Sequence, residues 1–372
     1  MKVLFNYNGV DILRFGGVSL YAYELIRNFP LAVQAVLGLA VSMNVNFQQW
    51  PGVQAPPAVL DRDGILPKRL RHALCWRYGR FWNRRRLREE LGRRGCCDLL
   101  HIVWDLEEEF FRFLNDRPFV FTVHDLIPEV LGIGDGPFTQ RRKWLAEHAA
   151  RLIAVSEHTK RDCVRVWDVP QEKIDVVYHA PSVSQGMDGL TKEGVRDDTY
   201  LLYVGNRSGY KNFTWFVEAL APLLSQRPSL KLVCTGLPFC HDEVMLLSKL
   251  GILAKTSVQF ICPDQFSVLY GCASVFVYPS LYEGFGMPIL DAFQSGCPVL
   301  LSRSSCFPEI GGDAALYFDP DDAESLRDQI ARCLDDADLR NDLIVKGRAR
   351  VKKFSWMKAA QETCEVYRKV FA

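Results

Sequence analysis

At 372 residues the chain is too long for one ordinary hydrophobic core, and two domains are expected. A hydrophobic share of 48% with 24% charged residues is that of a soluble globular protein. A net charge of +1 argues against a dedicated nucleic-acid binder, although local basic patches are compatible with it.

The twelve cysteines are scattered, with a Cys96-Cys97 doublet and no Cys-x-x-Cys pair. This is neither a zinc pattern nor a disulfide framework, and buried thiols in a reducing compartment are expected. The N-terminal MKVLFNYNGV has too short an apolar run for a signal peptide, and nowhere do eighteen apolar residues run together. A cytoplasmic protein without a membrane span follows as the expectation.

Lys2–Tyr7 reads as a first strand, broken by Gly16-Gly17, after which Val18, Tyr21, Ala22, Leu25, Ile26 and Phe29 recur at helical spacing. Lys68 to Arg94 is rich in arginine, interleaved with Trp76, Tyr78, Phe81 and Trp82, and reads as a helix. Such a segment suits either the surface of an anionic membrane or a solvated basic helix packed by its aromatic edge. Nucleic acid is disfavoured by the overall charge.

Further strands are predicted at Leu99–Trp104, Phe119–His124, Leu152–Val155 and Ile174–Tyr178. Short apolar runs separated by helices imply a parallel sheet covered on both faces. From His179 to Asp198 the chain turns polar, which marks a domain boundary. A second alternating series follows, with strands at Tyr200–Val204, Lys231–Thr235, Val258–Cys262, Ser274–Tyr278 and Pro298–Leu301. Helices are predicted at Asn212–Ser225, near His241–Leu250, after Pro288 and at Ala323–Leu334. The fold class is therefore α/β, with two doubly wound domains and a ligand cleft at the ends of their strands. The first domain is placed at 1–180, with 354–372 as a closing helix packed back on it, and the second at 198–353.

Two segments carry the chemistry. In LYVGNRSGYKN (Leu202–Asn212), Arg207 and Lys211 sit on a loop between a strand and a helix, where two cations could neutralise a diphosphate. The Gly-Lys-Ser/Thr ending of a P-loop is missing, and isolated loop cations are more often simply solvated. From Ser274 to Cys297 a strand runs through Glu283-Gly-Phe-Gly into a helix opened by Pro288, with Gly296 as its stop and carboxylates Glu283 and Asp291 flanking the loop. Unpaired N–H groups at such a terminus bind phosphates.

Arg207 with Lys211, followed by Glu283-Gly-Phe-Gly-Met-Pro-Ile-Leu-Asp291, resembles the retaining glycosyltransferases of family 4, which have the GT-B fold. Gly16-Gly17, VHDLIPE at Val123–Glu129, VSEHTKRD at Val155–Asp162 and PEIGGDAALYFDP at Pro308–Pro320 fit the same family, in its order. The VHDLIPE and YVGNRSGYKN stretches are most similar to bacterial mannosyltransferase-like enzymes of surface-polysaccharide assembly.

The resemblance implies an acceptor-binding first domain, a nucleotide-sugar-binding second domain, and roles residue by residue. Glu283 contacts donor-sugar hydroxyls, and amides around Gly284, Phe285, Gly286 and Met287 approach sugar and phosphate. Arg207, Lys211 and the helix N-terminus stabilise the leaving diphosphate. His124 reaches the donor sugar, Asp125 orients it or caps its loop, and a Gly17 amide approaches the diphosphate. The Cys262-Pro263-Asp264 loop lies against the base, and Glu309 falls in a loop that resembles the family's. The family's motif has glutamate at both ends, and here Asp291 ends it, shorter by about 1.5 Å of reach. The family's ribose contact and a plain helix-dipole role are both open for Asp291.

The implied reaction is retaining transfer of a hexose, GDP-mannose being the favoured donor, to a hydroxyl of a glycan or lipid-linked glycan. Front-face attack assisted by the leaving phosphate needs no side-chain nucleophile. No Asp-x-Asp motif lies in a suitable loop, so neither cofactor nor metal ion is expected. A sugar-nucleotide epimerase, a phosphorylase and a non-catalytic nucleotide-sugar-binding module are the alternatives.

Overall fold

The computed structural model describes residues 1–9, 16–57, 68–93, 95, 97–114, 117–134, 136–183, 199–207, 209–259 and 265–372, without the side chains of 68, 69, 71 and 72. The chain forms two compact units, Met1–His179 with Trp356–Ala372, and Ala180–Ser355.

The first unit holds a six-stranded, all-parallel sheet in the order β2-β1-β3-β4-β5-β6. Its strands are β1 Lys2–Phe5, β2 Gln34–Leu37, β3 Leu99–Ile102, β4 Phe119–Val123, β5 Arg151–Ala154 and β6 Ile174–Val176. The central strands β3 (LLHI) and β4 (FVFTV) are buried throughout because helices cover both faces, so their apolar runs are unbroken. The edge strand β2 (QAVL) is only half-buried, and its mixed composition gave no strand signal.

The helix Gly17–Arg27 buries Tyr21, Ala22, Leu25 and Ile26 along one stripe. The last helix, Trp356–Val370, belongs to this unit and buries Ala360, Cys364 and Tyr367. Its Tyr367 hydroxyl lies 2.6 Å from His101 Nδ1, and His101 Nε2 lies 2.7 Å from the Thr122 hydroxyl. The buried histidine on β3 thus has both ring nitrogens satisfied.

The long helix Lys68–Gly92 buries Cys75, Gly79, Asn83 and Leu87, a stripe at every fourth residue. Asn83 replaces a strand partner there, accepting from the N–H groups of Ala40 and Val41 and donating to the Val41 carbonyl. The packing edge therefore mixes small, polar and leucine side chains, Trp76, Tyr78 and Trp82 are only half-buried, and Phe81 stands exposed on the opposite stripe with Arg77, Arg85 and Arg88. No helix among the described residues is long and apolar enough to cross a membrane.

The second unit holds another six-stranded parallel sheet, ordered β12-β11-β10-β7-β8-β9. Its strands are β7 Tyr200–Tyr203, β8 Lys231–Thr235, β9 Thr256–Gln259, β10 Val275–Tyr278, β11 Val299–Ser302 and β12 Leu316–Phe318. The strand order reverses between β7 and β10, and at such a switch point the loops leaving the strand C-termini part to form a crevice. The equivalent point of the first sheet lies between β1 and β3. Cys163 lies in the first core and Cys234 and Cys333 in the second, all as buried thiols.

Candidate active site

In the second unit the loops after β7 and β10, the two strands at the switch point, meet in a buried ion pair. Gly205 leaves β7 at φ +129°, a backbone setting that favours glycine, and the chain turns through Gly209–Lys211 into the helix Phe213–Gln226. The Leu281 N–H bonds the Tyr210 carbonyl at 2.8 Å and ties the two loops together. Lys211 Nζ then lies 2.5 Å from Glu283 Oε1 and 3.3 Å from the Tyr278 hydroxyl. Rings of Tyr210 and Tyr278 flank the ammonium at 5.2 and 5.4 Å.

Both side chains of the pair are nearly enclosed, with 13% and 10% of their surface exposed. Removing one partner from such a pair leaves the other charge buried and uncompensated. The Glu283 N–H donates to Ser305 Oγ at 3.0 Å, and Ser305 itself sits at φ +45°. Nothing in the sequence marked Ser305, Tyr210 or Tyr278, since each acts through contacts distant along the chain.

After Glu283 the chain passes through buried Gly284 and Phe285 to Gly286, the N-cap of the helix Met287–Gln294. Gly286 is left-handed at φ +87°, and an added Cβ would come within 3.0 Å of Ile289 Cδ1 and 3.2 Å of Phe307. Pro288 in the first turn has no N–H to lose, and Phe285 packs edge-on to Phe354 with ring centres 6.0 Å apart. The loop therefore delivers Glu283 to a helix N-terminus.

Two expected members stand elsewhere. Arg207 turns to the end of β8, where Nε lies 2.8 Å from Glu243 Oε1 and the two Nη atoms donate to the carbonyls of Thr235, Leu237 and Pro238. Phe239 and Phe213 cover the guanidinium at 4.9 and 5.8 Å. The structure thus joins Lys211, and not Arg207, to Glu283.

Asp291 is turned to the first residues of its own unit. Its Oδ1 accepts from the N–H groups of Ser182 and Val183 at 2.6 and 3.2 Å, and Oδ2 accepts from the Ser182 hydroxyl at 2.5 Å. Gln294 Nε2 completes the clasp by donating to the Val183 carbonyl at 3.2 Å. Burial pushes the Asp291 carboxyl up to about 6, against the lowering effect of those hydrogen bonds. Glu309 lies in the helix Phe307–Gly311, and its carbonyl accepts from Arg350. Cys262, Pro263 and Asp264 lie outside the described residues.

In the first unit His124 follows β4 and packs edge-on to Tyr21, with ring centres 4.8 Å apart. Burial pushes its imidazole down to about 3, so the ring is neutral at pH 7, and its buried Nε2 has no hydrogen-bond partner. Asp125 caps its loop, Oδ1 accepting from the Ile127 N–H at 3.1 Å. Gly17 is the first residue of its helix and lines a cleft of about 520 Å³. Among the described residues no group of three or more His, Cys, Asp or Glu is placed to hold a metal ion.

Residues 15–183 match the model of Glycosyltransferase Family 4, and residues 191–350 match that of Glycosyl transferases group 1. The chain belongs to the family 4 glycosyltransferases. This family 4 chain is 29% identical over 233 residues to O-antigen chain mannosyltransferase B of Escherichia coli, a match covering 60% of the chain and 61% of that relative. It thus spans about three fifths of that relative's length. It is 27% identical over 259 residues to an O-antigen chain mannosyltransferase of Salmonella typhimurium, covering 69% of the chain and 70% of that protein.

Among solved structures, the family 4 chain aligns over 99% of its length, and 99% of the other chain, with Anabaena HepE in complex with UDP and glucose, at TM-score 0.75 and 17% identity. A glycosyltransferase from Rickettsia africae aligns over 100% of this chain and 98% of its own, at TM-score 0.71 and 17% identity. These likenesses establish the GT-B fold, with two Rossmann-like domains.

Proposed function

We propose that the protein is a retaining, metal-independent hexosyltransferase. It moves a sugar, mannose from GDP-mannose in the first instance, from a nucleotide diphosphate donor to a hydroxyl of a glycan or lipid-linked glycan acceptor of surface polysaccharide. The observation that carries this reading is the enclosed Lys211–Glu283 pair at the switch point, beside the N-terminus of the helix Met287–Gln294. The mannosyltransferases among its relatives support the choice of sugar.

In this reading the glycosidic C–O bond of the donor breaks with both electrons going to the diphosphate. Positive charge at Lys211 Nζ and the N–H groups around Gly284–Met287 stabilises the oxygen that receives them. The acceptor hydroxyl bonds to the anomeric carbon on the face the diphosphate leaves, and its proton passes to the departing phosphate oxygen. Glu283 holds sugar hydroxyls and keeps Lys211 oriented. Arg207 is a positioning residue, fixing the loop after β8 against the loop after β7, and Asp291 anchors residues 181–183 to the helix. His124 offers its unpartnered Nε2 to a sugar hydroxyl, and Gly17 admits a ligand close to its backbone.

The exposed stripe of Arg77, Phe81, Arg85 and Arg88 supports peripheral contact with an anionic membrane surface on the cytoplasmic side, where a lipid-linked acceptor would be met. A thermal-shift screen in EDTA tests the donor. GDP-mannose at a hundredfold excess over its Kd stabilises the fold that binds it by about 2.7 kcal/mol, and the melting temperature rises by several degrees. A larger shift with a UDP- or dTDP-sugar overturns the choice of donor, and no shift with any nucleotide sugar overturns donor binding.

A further inference from the structure

The loop that leaves β4 with His124 rests on a charge shut away from water. Arg142, on the helix Gly136–His148, is fully buried. Its guanidinium lies 5.2 Å from the Trp104 ring and 5.3 Å from each of the rings of Phe138 and Trp167. Desolvating a guanidinium is costly, and aromatic faces return only part of that cost. An aliphatic side chain would fill the same aromatic box without it. What distinguishes arginine here is the set of atoms it binds.

The guanidinium fork closes the turn behind His124. Nη2 donates to the carbonyl of Asp125, the next residue, and Nη1 lies 3.0 Å from Oε2 of Glu129 in the short helix Ile127–Val130. The Glu129 side chain is itself only 6% exposed, so the ion pair is enclosed. One planar group thus pins both ends of residues 125–129, which the single point charge of a lysine does not reproduce.

The same cation reaches the imidazole by a second route. The Trp104 ring that meets the guanidinium also packs on His124, with ring centres 6.1 Å apart. The Val103 carbonyl accepts from a ring N–H of His124, and Nε2 is the nitrogen without a partner. A neutral imidazole that donates from Nδ1 carries its lone pair at Nε2. Burial, and with it the Arg142 charge, opposes protonation of that ring.

We propose that Arg142 is a positioning residue, holding the His124 imidazole through the 125–129 turn and the Trp104 ring so that Nε2 accepts from a hydroxyl of the donor sugar. The proposal rests on the glycosyltransferase reading above and gives Arg142 no contact with substrate. Since His124 serves the sugar and not the nucleotide, loss of Arg142 weakens the nucleotide sugar selectively.

Calorimetry on the full chain compares GDP-mannose, UDP-glucose and dTDP-glucose, each against its own nucleoside diphosphate. The proteins are wild type, His124→Ala, the pair Arg142→Met with Glu129→Gln, and all three changes together. The paired change removes both buried charges and leaves neither uncompensated. It is expected to weaken the nucleotide sugar at least threefold and the nucleoside diphosphate less than twofold. Once His124 is alanine, it is expected to add less than twofold to either. Should the paired variant unfold, Arg142→Lys is measured in its place, and the same selective loss is expected. Equal losses for sugar nucleotide and nucleoside diphosphate, no loss for either, or an additive loss in the His124→Ala background overturns the proposal. A wild type that binds none of the three nucleotide sugars overturns the donor reading itself. Selective loss in a chain that binds donor but transfers to no acceptor keeps the role of Arg142 and overturns the transferase reading instead.

Discussion

Lys211→Ala is expected to lower kcat by about 10²- to 10³-fold, the usual effect of removing one charge-stabilising group from an active site. Glu283→Gln is expected to do the same while the chain stays folded. Each single change also destabilises the second unit, because Lys211 and Glu283 share an enclosed site at 2.5 Å and either one alone is a buried charge without its partner, at a cost of about 3–5 kcal/mol. Stability and chemistry separate in the double variant. Lys211→Met combined with Glu283→Gln removes both charges and is expected to recover most of the melting temperature but none of the turnover. Turnover within threefold of wild type in either folded single variant would mean the chemistry lies elsewhere.

Acidification is expected to weaken the first unit selectively. Burial holds His101 and His124 down at about 3, and His179 well below its usual value. A group whose pKa is depressed in the folded state contributes stability that is present above its unfolded value of about 6.5 and is lost as the pH falls towards the folded value. At pH 5 His101 and His124 have each forfeited about 2 kcal/mol, from 1.36 kcal/mol per unit over the 1.5 units below 6.5, and His179 acts in the same direction.

Asp291 runs the other way in the second unit. Its carboxyl is raised from 3.8 to about 6, so its contribution is full below 3.8 and is lost as the pH rises through 6. Calorimetry between pH 7 and pH 5 should therefore show one transition moving down by several degrees while the other does not fall with it. Equal melting profiles at the two pH values would contradict this placement of the histidines.

The α/β class was legible because central parallel strands are unbroken apolar runs. PFVFTVH around β4 and SVFVY around β10 are buried on both faces and cannot be read as anything polar. One edge of each sheet was not legible: β2 (QAVL) and β12 (LYF) are half-exposed and only three or four residues long, whereas the opposite edges β6 and β9 were marked by Ile174–Tyr178 and Val258–Cys262. The Lys68–Arg94 segment was read as a helix, but its packing face was not, because Gly79 and Asn83 interrupt the stripe of Cys75, Leu87 and Leu91.

The same limit governs the site. A strand, a glycine loop and a helix start are local features, so the Glu283–Met287 segment could be read directly. The direction of Arg207 depends on Glu243 and the β8 loop, and the partner of Asp291 is Ser182, 109 residues away. The cleft beside Gly17, with Trp104, Asp105 and Arg141 in its lining, draws on segments with no shared motif, and only the strand order of the sheet brings them together.

Product analysis is the decisive experiment for the proposed retaining glycosyl transfer at the Lys211–Glu283 site. GDP-mannose, α-linked at its anomeric carbon, is incubated with a mannoside acceptor in EDTA, and products are followed by NMR for wild type and Glu283→Gln. GDP released in step with an α-mannoside is expected from wild type, and no product from the variant. A β-linked product, mannose 1-phosphate, an epimerised donor, or equal turnover by Glu283→Gln would contradict it.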